Sequence, residues 1–150
     1  MKSVHYIATI VNAYRRLIDD YYNYKYFKDF KEYQESLKRG ENRPVSIGFF
    51  AGDVTTNEII YNQKNVTASH DFVGIITSYD KETRMATMEV RNPFKGNRTL
   101  EVLSPKKAPF NVEIKEIYND KDEVIEFSNQ PKTLVHFVSD IELHQFDFIR

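Results

Sequence analysis

Between residues 81 and 107 the chain places Lys81, Arg84, Arg91, Lys95, Arg98, Lys106 and Lys107 against only three acids. Cations at this density suit contact with phosphate, because each neutralised phosphate releases condensed counterions. Arg91, Lys95, Arg98, Lys106 and Lys107 are the candidate RNA or substrate contacts. The other chemistry-bearing residues are sparser. His136, Glu142 and His144 form the densest histidine and carboxylate grouping, but no HExxH or CxxC spacing accompanies them. They are expected to be surface titratable groups, His5 is expected to pack at an interface, and no metal site is expected. Ser69, His70 and Asp71 are neighbours in a polar stretch and cannot align as nucleophile, base and orienter. No Gly-x-Ser-x-Gly elbow occurs. No catalytic or cofactor-binding residue and no cofactor is expected in this chain.

The elements that would position the cations follow from periodicity. Ala86, Met88 and Val90 alternate with Thr87, Glu89 and Arg91, the period-two pattern of a half-buried strand. Asn92-Pro93-Phe94-Lys95-Gly96-Asn97 breaks it with turn residues, and Leu100 and Val102 restart it before Ser104-Pro105. This predicts a hairpin with a basic corner, whose rim would carry Arg91, Lys95 and Arg98. Phe72 to Tyr79 is a preceding strand, turned by Asp80 to Arg84 into an antiparallel partner of Met85 to Val90. Gly74 among bulky neighbours predicts a bulge or a close crossing. Alternation at Phe110, Val112 and Ile114, the Asn119 to Asp122 turn, and apolar runs at Val124–Phe127, Thr133–Ser139 and Phe146–Ile149 add further strands. Strands separated by turns without helical pattern predict a small antiparallel β-barrel.

Residues 1–43 read differently. Val4, Ile7, Ala8, Val11, Tyr14, Leu17, Ile18 and Tyr21 have the spacing of an amphipathic helix, with Ser3 as its cap. Tyr26, Phe30, Tyr33 and Leu37 continue the stripe, with Asn23 as a candidate cap and Gly40 as its stop. Two helices or one long kinked helix fit equally well. Seven of the ten tyrosines lie from Tyr6 to Tyr33. They would serve as base-stacking platforms or, in the plainer reading, as a helix face buried against another domain. A strand is predicted over Val45–Gly52, followed by a long polar loop at 53–71. The fold class is α+β, with a helical arm at 1–43 and a barrel at 44–150.

Composition limits the alternatives. With 150 residues and 41% hydrophobic content, a core can form without staples. The absence of cysteine removes disulfides, thiolate metal sites and cysteine nucleophiles. No stretch has the roughly 18 apolar residues of a membrane span, and the N-terminus lacks a signal-peptide pattern. A soluble, cytoplasmic protein without membrane contact is expected. The net charge of −1 conceals +4 over residues 81–107 and −5 over 108–150.

Several of these motifs, in order, resemble the collagenase-like peptidase family U32. Lys2-Ser3-Val4-His5-Tyr6-Ile7-Ala8, with Tyr14-Arg15 and Ile18-Asp19, resembles the segment following that family's catalytic-type barrel. Gly48-Phe49-Phe50-Ala51-Gly52 resembles its glycine–aromatic–aromatic strand. Phe72-Val73-Gly74, Arg91-Asn92-Pro93-Phe94-Lys95-Gly96 and Leu100-Glu101-Val102-Leu103-Ser104-Pro105 resemble its C-terminal barrel. The likeness spans nearly the whole chain. Gly96-Asn97 departs from the family's usual Gly-Asp, which keeps the turn preference and removes a charge. The resemblance implies a missing N-terminal domain of TIM-barrel type with a cysteine-containing signature. It also implies a small barrel like those of translation factors, and relatives linked to proteolysis or to prephenate-dependent hydroxylation of a tRNA wobble uridine. The expectation is a non-catalytic, substrate-positioning accessory domain, with tRNA or protein as substrate. The alternatives are a module that forms a homo-oligomer through residues 4–37 and part of a protease active only with its upstream domain.

Overall fold

The computed structural model describes residues 3–26, 29–40, 48–53, 72–105 and 107–150. The chain divides into two compact units, Met1–Ser69 and His70–Arg150.

In the first unit two separate helices form. Helix α1 covers Val4–Tyr24, and the Ser3 hydroxyl accepts a hydrogen bond from the Tyr6 amide at 3.1 Å. It ends where Lys25 turns into the left-handed region at φ 60° and its amide returns to the Tyr21 carbonyl. Helix α2 covers Phe30–Lys38 and is capped by the Asp29 carboxylate rather than by Asn23. Tyr33 donates to Asp20, and Arg16 pairs with Glu32 while lying 5.4 Å from the Tyr33 ring centre. A Cβ on Gly40 would stand 3.3 Å from the Thr9 methyl, so this glycine serves close approach to α1 rather than a positive φ.

The polarity of α1 is inverted. Its buried residues are His5, Thr9, Asn12 and Ala13, three of them polar. Its apolar stripe faces outward, with Val4 63%, Ile7 53%, Val11 60% and Tyr14 54% exposed. Periodicity reports that a stripe exists but not what covers it.

Gly48–Ala51 forms a single 3₁₀ turn closed by the Gly52 amide on the Phe49 carbonyl at 3.2 Å, not the predicted strand. Two adjacent bulky aromatics between glycines offer no two-residue alternation to bury. The remainder of that predicted strand, Val45–Ile47, and most of the polar stretch at 53–71, including Ser69, His70 and Asp71, lie outside the described residues.

The second unit consists of strands. These are β1 (Gly74–Asp80), β2 (Met85–Val90), β3 (Phe94–Lys95), β4 (Arg98–Leu103), β5 (Phe110–Ile114), β6 (Ile117–Tyr118), β7 (Val124–Ile125), β8 (Phe127–Ser128), β9 (Leu134–Val138) and β10 (Phe148–Ile149). Eight of them form one sheet in the order β5-β4-β10-β1-β2-β9-β6-β7, and β3 pairs with β8. Every ladder is antiparallel. The sheet curls into a half-barrel, so the protein is α+β. Ile76, Ala86, Met88, Val90, Val102, Ile114, Ile117, Phe137 and Ile149 form its fully buried core. The predicted alternation on β2 holds: Ala86, Met88 and Val90 are buried and their neighbours half-buried.

β2 and β4 are not a hairpin, however. Both hydrogen-bonding edges of β2 are taken by β1 and β9, and those of β4 by β10 and β5. Residues 91–97 therefore cross the mouth of the half-barrel, and Phe94–Lys95 find their partners in Phe127–Ser128. Gly74 marks a close crossing, since a Cβ there would lie 2.6 Å from the Glu89 carbonyl oxygen. The bulge itself falls at Thr77, between the Ile76 and Ser78 pairings, and the Thr77 hydroxyl bonds the Thr87 carbonyl.

Candidate nucleic-acid interface

Strand direction divides the predicted cationic cluster into two groups. β2 ends at Val90 opposite Gly74, and β4 begins at Arg98 and runs antiparallel to β10. Arg91 and Arg98 therefore sit at one end of the sheet. Backbone bonds bind this end together: Arg91 and Asn92 amides to the Val73 carbonyl at 2.8 and 3.1 Å, Asn97 to Lys115 at 2.9 Å, and Gly96 to Glu126 at 3.1 Å. The Asn92 side chain adds a bond to the Phe72 carbonyl at 2.6 Å. Lys95 is held opposite Phe127.

Lys81, Arg84 and Lys107 lie at the other end, where the β1–β2 turn and the β4–β5 connection meet the segment after β9. A six-residue strand separates the two ends by roughly 20 Å. At that second end Lys81 pairs with Glu142 at 2.7 Å and Arg84 with Asp140 at 3.0 Å. The Lys81 hydrogen bond holds the Glu142 carboxyl below its ordinary range, helped by His144 and Lys107, and Glu142 in turn raises Lys81. Much of its charge is therefore satisfied internally. Lys106 lies outside the described residues.

The first end keeps more of its cations unpaired. Arg91 is exposed and held by Glu89 at 2.7 Å, whereas Lys95 and Arg98 are exposed with no ion pair among the described residues. Two further cations join them that segment charge concealed. Lys115 follows β5 beside Asn97, and the Lys132 amide donates to the Val90 carbonyl at 2.7 Å, next to Arg91. Both are exposed, without an ion pair among the described residues, and belong to the acidic C-terminal stretch. The available signal was positional: one lies immediately past an alternating strand and the other in the turn before β9.

The described histidines have different neighbours. His136 shares a 3.0 Å hydrogen bond with the Thr87 hydroxyl across β9 and β2. His144 stands 3.8 Å from both Glu142 and Asp147. No group of three or more His, Cys, Asp or Glu residues is placed to hold a metal ion among the described residues. His5 is buried on the α2 side of α1, 3.4 Å from the Thr9 hydroxyl. No described helix is long and apolar enough to cross a membrane.

Residues 68–150 match the family model for the peptidase family U32 C-terminal domain, and residues 1–60 match the model for peptidase family U32. The chain belongs to peptidase family U32. Over its full length it is 31% identical to the tRNA hydroxylation protein P1 of Bacillus subtilis (strain 168), of which it spans 36%. The crystallised C-terminal domain of a U32-family protein from Geobacillus thermoleovorans shares its fold, with TM-score 0.51 and 24% identity over 57% of this chain and 97% of that one. The half-barrel thus corresponds to the U32 C-terminal domain, and the two helices fall within the other U32 model.

Proposed function

We propose that this chain is the substrate-positioning C-terminal part of a longer U32 protein that acts on tRNA. It presents the end of the half-barrel carrying Arg91, Lys95, Arg98, Lys115 and Lys132 to the RNA backbone. The supporting observation is the gathering of these exposed cations at one end of the sheet, four of the five without an ion pair among the described residues, while Lys81 and Arg84 at the opposite end are both paired. Charge and shape of this kind suit folded RNA, whose phosphates are recognised without base reading. The relative named for tRNA hydroxylation makes tRNA the substrate to test first. Alanine at Arg91, Lys95 and Arg98 together weakens tRNA binding severalfold, whereas alanine at Lys81, Arg84 and Lys107 leaves it near wild type. Equal losses in both variants would discard the division between the two ends.

The outward stripe of α1 supports the second half of the reading. Val4, Ile7, Val11, Tyr14, Ile18 and Tyr21 are all more than two-fifths exposed. Residues 1–60 belong to a U32 module, and the chain spans 36% of the relative's length. The remainder of that module is the occupant of the stripe. In the full-length protein Val11→Asp lowers the thermal midpoint, while in this chain alone it leaves it unchanged. Light scattering that showed this chain as a dimer split by Val11→Asp would assign the stripe to a second copy instead.

A further inference from the structure

Beside the cationic end lies an open groove of about 560 Å³, walled by β7, β8 and the turn leading into β9. This falls in the size range of ligand clefts, roughly 300–1,000 Å³. Its lining combines one exposed aromatic ring with unused carboxamides. Phe127 is 45% exposed although its backbone is fixed by pairing with Lys95. Leu134 and Ile125 extend the apolar surface around it. The Asn129 and Gln130 side chains line the groove and make no hydrogen bond among the described residues. The turn carrying them is tied back by the Thr133 hydroxyl and amide, which bond the Gln130 carbonyl at 2.7 and 3.5 Å. The cations flank the groove rather than line it: Lys95 opposes Phe127 in the β3–β8 ladder, and Lys132 occupies the turn at positive φ, 70°.

We infer that this groove receives one unpaired base of an RNA strand, stacked on Phe127 and bonded along its edge by Asn129 and Gln130, with the flanking phosphates on Lys95 and Lys132. An aromatic platform with neutral amide partners offers a base both stacking and edge hydrogen bonds, whereas it offers a phosphate no charge. The one acid in the lining, Asp120, repels phosphate and accepts from an exocyclic amine. This inference rests on the RNA reading above and names the part of the RNA that the domain would hold.

The chain contains no tryptophan, so Phe127→Trp places a single tryptophan in the groove, excited selectively on the red side of tyrosine absorption. The probes are a short single-stranded RNA and a blunt RNA duplex of equal length, with binding followed by anisotropy of labelled RNA. Single-stranded RNA should quench the tryptophan and the duplex should not. Phe127→Ala should bind the single strand about tenfold more weakly, the usual loss for one stacked base, with an unchanged thermal midpoint. If wild type binds single-stranded RNA and Phe127→Ala binds it equally, the groove is discarded and the cationic end survives. Equal quenching by the duplex also overturns it, since no unpaired base would be involved. A wild-type chain that binds neither RNA removes the underlying RNA reading and the groove with it.

Discussion

Gly74→Ala perturbs the contact on which the cationic end is built. The added methyl would lie 2.6 Å from the Glu89 carbonyl oxygen and 2.8 Å from both Cγ and Sδ of Met88. The methionine side chain can rotate away, but the carbonyl belongs to the strand paired with β1 and yields only if β2 moves. Met88 is itself fully buried, so its rotation disturbs the core. Overpacking of this kind costs about 1–3 kcal/mol, and the backbone clash places this site at about 2 kcal/mol or above. For a unit of this size that corresponds to a midpoint lowered by roughly 10 °C. Gly96→Ala is the control, because its methyl would meet the Lys115 carbonyl oxygen at 3.3 Å and Ile117 at 3.6 Å. That variant should lose less than about 1 kcal/mol. Urea unfolding followed by circular dichroism reads both. The Val73 carbonyl that anchors the Arg91 amide precedes Gly74 directly, so Gly74→Ala should also weaken tRNA binding. Equal stability of the two glycine variants would refute the close-crossing argument.

Glu101→Ala removes the carboxylate that pairs at 2.6 Å with the Arg150 guanidinium, whose side chain is 1% exposed. It should destabilise by about 3 kcal/mol in urea unfolding, the lower end for a broken buried pair because Glu101 retains a quarter of its exposure. Spectrophotometric titration should show Tyr33 ionising late, pushed up to about 12 by burial and by its hydrogen bond to Asp20, with Tyr118 also raised by its hydrogen bond to Glu116. The folded pKa of Tyr33 lies above the unfolded value, so the stability linked to it is fully present below pH 10 and is lost as pH rises toward 12. Tyr33→Phe should remove the component near pH 12. Asp80 is shifted the other way, held low chiefly by the Glu82 amide and the Thr83 hydroxyl. Its contribution to the β1–β2 turn is present above the ordinary carboxylate pKa and lost as pH falls through the depressed one, and Asp80→Asn should remove that acid-side dependence.

Much of this architecture was legible in the sequence because its determinants are local. The alternation of Ala86, Met88 and Val90 set both the strand and its buried face. The turns at Asp80–Arg84 and Asn119–Asp122 were legible from residues whose side chains bond their own backbone: Asp80 accepts from the Glu82 amide, and Asn119 from those of Lys121 and Glu123. What was not legible depends on partners distant in sequence. Nothing in residues 85–105 signals that Phe148–Ile149 and β1 intervene between β2 and β4. Two-residue strands such as β3 and β8 are too short to show a period. The same limit governs the candidate site. Arg91, Lys95 and Arg98 were visible as a basic corner, but strand order carried Lys107 to the opposite end and brought Lys115 and Lys132 alongside. On α1 the stripe was visible and its outward orientation was not, since orientation is set by Arg16, Asp20 and Tyr33 meeting across the helix pair.

The central claim is that the end of the half-barrel bearing Arg91, Lys95 and Arg98 holds RNA by its phosphates. The most direct measurement is tRNA affinity as a function of salt, for wild type and for the Arg91→Ala, Lys95→Ala, Arg98→Ala triple variant. Each lost phosphate contact lowers the slope of log affinity against log salt by roughly 0.7–0.9. The account predicts weaker binding by the triple variant and a slope shallower by about two. Identical affinity and slope in the two proteins would contradict it.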